Sequence, residues 1–350
     1  MAVQGAHLVG SVNFPDAETT IRAAAEILGD RLKRIPDGEV GERFHWIAFQ
    51  PDRLAASPDI ERIGAEPILM KGLDLRGVRV RDGVDIASLR LPSLGYADSA
   101  LESWEVFRRL RDKGVVPAGT RFQVSLPTPA AVVGAFFPED QRAAVEPVYA
   151  AALYGELDRI LAGIPHDSLA VQWDTAVEFA FIEGAGYEDR FGGAYRPWFS
   201  DVWAGVIDRA VEQAQHVPDA VDVGYHLCYG DAGEAHFYEP VDTGNLVRFA
   251  NELLAAAPRP VQWIHLPVPI SRDDDAYYAP LDGLAAHDGT EIFLGLVHRE
   301  DGPEGAQRRI AAAVDHLADF GVATECGMGR APEEQTPSLL ETHRSVSAAW

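Results

Sequence analysis

Glu291-Ile-Phe-Leu-Gly-Leu-Val-His298 runs into Arg-Glu-Asp-Gly-Pro303, then into a segment of helical period over 304–320, then into Val322-Ala-Thr-Glu-Cys326. The first and last pieces are short and apolar, as buried strands are. Between them, Ile310, Ala313, Val314 and Leu317 share one helical face, with Arg308 and Arg309 outside it. Pro303 suits a helix start, where its missing N–H would be unpaired anyway. The unit therefore reads strand, turn, helix, strand. Working outward, the same grammar recurs along the chain, with strands expected at 7–12, 32–35, 121–126, 169–174, 221–228, 261–268, 291–298 and 322–326. A long helix is expected over 139–162. Strands alternating with helices eight times over predict an α/β fold, a single closed (β/α)8 TIM barrel covering residues 1–350.

Two connections break the rhythm. The stretch 36–120, between the second and third strands, is too long for a simple crossover. It holds a helical run at 42–54 and an alternating segment at 79–84 that looks like a hairpin, so it is expected as an excursion on the C-terminal face of the barrel. A second loop, 179–198, carries Tyr187, Phe191, Tyr195 and Trp198. These aromatics either pack the loop onto its scaffold or line a mouth for an apolar substrate.

The chain has 30 Lys+Arg against 54 Asp+Glu, a formal net charge of −24, so a polyanion approaching it meets repulsion. Nucleic acid and acidic membranes are excluded as expected partners. The opening Met1-Ala-Val-Gln-Gly-Ala-His-Leu8 has neither a basic nor an apolar targeting region, and a cytoplasmic location is expected. Cys228 and Cys326 are the only cysteines, and in a reducing compartment they are expected as thiols rather than as a disulfide.

In Val221-Asp-Val-Gly-Tyr-His-Leu-Cys228, residues two apart project to the same side of a strand, so His226 and Cys228 aim an imidazole and a thiolate at one point. Cys326 also falls at a predicted strand end, on the rim where barrels carry their chemistry. One nitrogen and two sulfurs suit zinc. Without a metal, the same residues would be small buried hydrophobes and a hydrogen-bonded core histidine. Glu39 and Asp174 each follow or end a predicted strand at the rim and are candidates for the site, whereas Asp273-Asp-Asp275 reads as solvated surface. Gly327, Gly329 and Arg330 form either an anion-binding turn or a plain one.

These residues, in chain order, resemble the C-terminal catalytic barrel of cobalamin-independent methionine synthase, in the superfamily that includes uroporphyrinogen decarboxylase and zinc thiol-alkyltransferases. Leu8-Val-Gly-Ser11 is similar to that family's opening strand, Asp37-Gly-Glu39 to its Gly-Glu element, and Val171-Gln-Trp-Asp174 to its Gln-x-Asp strand. His226-Leu-Cys228 and Cys326-Gly327 look like its zinc ligands, and Leu294-Gly-Leu-Val297 like the strand before the last. The resemblance implies zinc held by His226, Cys228 and Cys326, with Ser11, Glu39 and Asp174 orienting a substrate amine. It implies alkyl or methyl transfer to a small-molecule thiol from an alkyl donor.

The departures are specific. His265 stands where that family has a zinc-binding glutamate, and either completes the ligand set or merely fills the place. Thr175-Ala-Val177 replaces Glu-Pro-Ala, His298 only approximates the family's catalytic histidine, and this chain has one barrel where the long form has two. A second imidazole in place of a carboxylate makes the metal more electropositive, which strengthens a competing expectation: a zinc hydrolase or lyase with His298 or Glu39 as general base. A metal-free binding barrel is the third.

Overall fold

The computed structural model describes residues 3–185, 195–230, 236–285 and 289–350. β1 (Arg34–Pro36) is followed by the excursion, which holds β2 (Ile60–Arg62), β3 (Leu69–Met70), β4 (Leu73–Asp74) and β5 (Val78–Val80). Then come β6 (Arg121–Pro127), β7 (Leu169–Thr175), β8 (Asp222–Leu227), β9 (Trp263–Pro267), β10 (Glu291–Val297) and β11 (Gly321–Thr324). β1 and β6 through β11 form one seven-stranded parallel sheet, each strand beside the next in sequence, curled into a partial barrel.

The expected eighth strand at 7–12 is not formed. That segment makes isolated parallel bridges instead, from Ala6 to Val322, Ser11 to Gly38 and Val12 to Met328. It changes partner along its length, from β11 to the loops beyond β1 and β11, so no run of consecutive rungs develops. Gln4 also bridges Ala348, which brings the two ends of the chain together.

Alternation decides what faces the inside of the curl. Ala170, Gln172 and Asp174 project inward from β7, Gly224 and His226 from β8, and Trp263 and His265 from β9. The opposite face of β8 meets the helices, where the Tyr225 hydroxyl donates to Ala210 O at 2.6 Å. A small inner cluster of Val9, Ala170, Trp263, Phe293 and Ala323 fills the floor, apart from the main core beneath the helices. Above it the interior is polar.

Several expected elements shift. The run 42–54 splits into a 3-10 turn, Gly41–His45, and a short helix, Gln50–Leu54, because the backbone at Trp46 turns left-handed, with φ 52°. The segment 79–84 is no local hairpin: β5 pairs antiparallel with β2, Val80 opposite Ile60. The helix expected over 304–320 is Gly302–Ala313, and just beyond it His316 bonds Asp282 and Asp275 at 3.1 and 3.0 Å. The excursion also holds an unforeseen helix, Tyr96–Asp112, which buries Ala97, Ala100, Trp104 and Phe107. Among the described residues no helix is long and apolar enough to cross a membrane.

Candidate metal centre

Parallel register sets Asp174, His226 and His265 abreast on neighbouring strands. One residue past β8, Cys228 still faces the same way, and Cys326 follows the end of β11. The ligand atoms of His226, Cys228 and Cys326 all lie within 4.8 Å of one another, so this trio could hold a metal ion. The two sulfurs are 3.7 Å apart, and Cys326 Sγ is 3.6 Å from His226 Nε2. Cys228 shares a hydrogen bond with Cys326 and accepts from the Gly230 N–H at 3.3 Å, contacts that draw its thiol below the usual range despite burial. Cys326 is held well above that range by its hydrogen bond with Cys228 and by burial. Arg330 lies 3.9 Å from the Cys326 sulfur.

His265 is not part of the converging trio. Its Nδ1 is 2.7 Å from His226 Nδ1 and its Nε2 donates to Thr324 O at 2.9 Å, so both ring nitrogens are engaged. Burial presses its pKa down to about 3.

Beside the trio stand the two expected carboxyls. The Gln172 amide is oriented by its oxygen, which meets His7 Nε2 at 2.8 Å and Trp263 Nε1 at 3.3 Å, leaving its nitrogen to donate to Asp174 at 2.9 Å. Burial raises Asp174 well above the carboxylate range, and the charge of Glu39 adds to this. Glu39 is raised to about 7 by burial, with Asp37 adding and Arg43 and Arg330 opposing. Burial thus biases both acids toward their protonated forms. Asp37 is paired with Arg43, which keeps its carboxyl low despite burial. Glu39 adopts φ 52°, a conformation that favours glycine and costs a glutamate of order 1–2 kcal/mol.

Ser11 lies behind the final turn and its oxygen accepts from Gly329 N at 3.3 Å. A Cβ on Gly327 would come within 2.1 Å of that oxygen, so this glycine makes room for the serine. A cleft of about 650 Å³ opens beside Cys326, walled by His236, Arg272, His298, Glu325 and Arg330. His298 donates to Val268 O at 2.9 Å, its other nitrogen lies 3.8 Å from Glu325, and burial lowers its pKa. Burial also works against charge on His236, but the Glu325 carboxylate at 3.0 Å outweighs it and raises the ring to about 9.

Glu325 and His236 were not among the residues singled out from sequence. Glu325 adjoins Cys326, a signal that was available, whereas nothing in the sequence near His236 marks it. Of the loop aromatics, Tyr195 lies 5.0 Å from Phe237, while Trp198 packs against Phe181 and donates to Glu146 at 2.6 Å, a scaffold contact. Tyr187 and Phe191 lie outside the described residues. The acidic run 273–275 binds Arg308, caps the helix Asp275–Tyr278 and pairs with His316, all structural tasks. Comparison with protein-family models and with curated protein sequences returns no match.

Proposed function

We propose that this chain is a zinc-dependent enzyme that transfers an alkyl group to a small thiol. It would be built on the (β/α)8 plan of the methionine synthase barrel, with residues 4–12 standing in for an eighth strand. The observation that carries this reading is the convergence of one imidazole nitrogen and two sulfurs within 4.8 Å beside an open cleft. The donor set fits zinc: two soft thiolates and a neutral imidazole favour it over hard cations, and three protein ligands leave a position for substrate. Bound there, zinc would lower the pKa of a substrate thiol so that it is a thiolate at neutral pH.

The protein's own groups supply the rest. Glu39 and Asp174 accept hydrogen bonds from the polar end of the thiol substrate and fix its direction. Arg330, beside Cys326, balances the negative charge that the thiolates bring to the site. The cleft between His298 and Cys326 is the approach for the alkyl donor.

Purified without chelator, the protein should carry close to one equivalent of zinc, and Cys228→Ala or Cys326→Ala should each empty the site. Full occupancy in either variant removes the metal centre. In cobalt-substituted protein, added small thiols should intensify and shift the charge-transfer band that the cysteine thiolates already give. A spectrum indifferent to thiols would favour the hydrolase instead.

A further inference from the structure

We propose that His265 is a positioning residue: it locks His226 into the one tautomer whose Nε2 can bind a metal. This rests on the metal-site reading above, but the tautomer can be measured without any metal.

The inference follows from counting donors and acceptors. A backbone carbonyl can only accept, and Thr324 O lies 2.9 Å from His265 Nε2, so that nitrogen carries its proton. The His265 side chain is 0% exposed and meets no carboxylate among its hydrogen bonds, and a charged ring there would be costly. A neutral imidazole with its proton on Nε2 has a bare lone pair on Nδ1. That lone pair faces His226 Nδ1 at 2.7 Å. Two bare nitrogens at this distance would repel, so His226 Nδ1 is the donor.

The His226 proton being on Nδ1, its Nε2 is bare, and Nε2 is the atom 3.6 Å from Cys326 Sγ. The opposite tautomer would set lone pair against lone pair and aim an N–H into the trio. The chain Thr324 O, His265, His226 thus has a fixed polarity that ends in an open lone pair at the metal position.

The fold anchors both ends of this chain. His226 and His265 are register partners on β8 and β9, and Thr324 ends β11. The Thr324 hydroxyl donates to Cys326 O at 2.6 Å, so the residue that orients the imidazole also holds the backbone of the third ligand. His265 has no lone pair left for a metal. The place that the resemblance reserves for a fourth ligand is here given to a group acting through His226.

Three measurements test this. Long-range proton–nitrogen correlation spectra of metal-free, 15N-histidine-labelled protein should show His226 protonated on Nδ1 and His265 on Nε2. Competition against a chromogenic chelator should show zinc binding roughly 10–100-fold weaker in His265→Leu. His265→Gln, which offers a carbonyl to His226 and an amide N–H to Thr324, should recover most of that loss. X-ray absorption of the zinc form should report one imidazole, not two.

A His226 ring protonated on Nε2, a glutamine variant as weak as the leucine variant with intact circular dichroism, or two imidazoles on zinc would each overturn the proposal. If the wild type binds no zinc, the metal reading fails, and the tautomer spectra still decide the relay.

Discussion

Glu178 shows what a single buried acid does to this molecule. It lies in the helix Val177–Glu183, just past β7, and burial raises its carboxyl from 4.5 to about 7, with the Thr128 hydroxyl pulling the other way. In the unfolded chain the same group ionises near 4.5. Below that pH both states hold the proton and nothing is lost. As pH rises from 4.5 through 7 the unfolded chain gives up its proton first, so stability falls, by about 3 kcal/mol in all. Urea melts of Glu178→Gln against wild type should therefore agree near pH 4 and diverge in favour of the variant by pH 8. A difference that stays flat across this range would show that the side chain is hydrated or paired. Glu39 has the same upward shift but also a left-handed backbone, φ 52°. A buried acid held in a costly conformation beside a cluster of ligand atoms marks a site shaped for binding rather than stability.

At the scale of elements, β8 and β9 depend on a missing side chain. A Cβ on Gly224 would sit 2.0 Å from the Trp263 ring, whose other neighbours include the Arg34 guanidinium at 4.1 Å and the Gln172 amide. The indole has nowhere to go. Gly224→Ala should cost about 1–3 kcal/mol, read as a shift in the urea midpoint at constant slope. No loss would mean that the indole moves.

The inner strands were legible because each is a short run rich in aliphatic and aromatic residues between polar or turn-forming breaks; β6 through β10 fall where the pattern puts them, give or take two residues. The hairpin and the eighth strand were misread, since pairing depends on partners far along the chain: β5 takes β2, and residues 6–12 divide themselves among three segments. His-x-Cys displayed the shared direction of His226 and Cys228 through the period of two. What His265 does was hidden, because its meaning comes from the Thr324 carbonyl, 59 positions later.

The whole molecule is held together where its ends meet. Gln4 bridges Ala348, Ala6 bridges Val322, and the Gly5 backbone, φ 83°, lies under the Trp350 indole, where a Cβ would come within 2.1 Å. Trp350 is tied in turn to Arg31 O at 2.9 Å, and Lys33 stacks over its ring. Gly5→Ala meets both a forbidden backbone angle and a ring, and should destabilise by more than 1 kcal/mol. Hydrogen exchange should speed up first in β1 and β11, the strands this segment joins. Uniform acceleration across the sheet would show that the bridges are not a separate weak point.

That meeting of distant segments also sets a timetable. A ribosome adding about 5–20 residues per second takes roughly 15–60 s to travel from residue 12 to residue 322. During that interval β1 and β6 through β10 can pair as they emerge, each beside the one before it. His7 and its neighbours, although made first, must wait for β11. Thr324 and Cys326 emerge with that strand, so neither the third member of the trio nor the carbonyl that His265 bonds is present before it. On the proposed reading, metal capture follows the emergence of residue 326. The ion would then enter a sheet whose other strands have already paired.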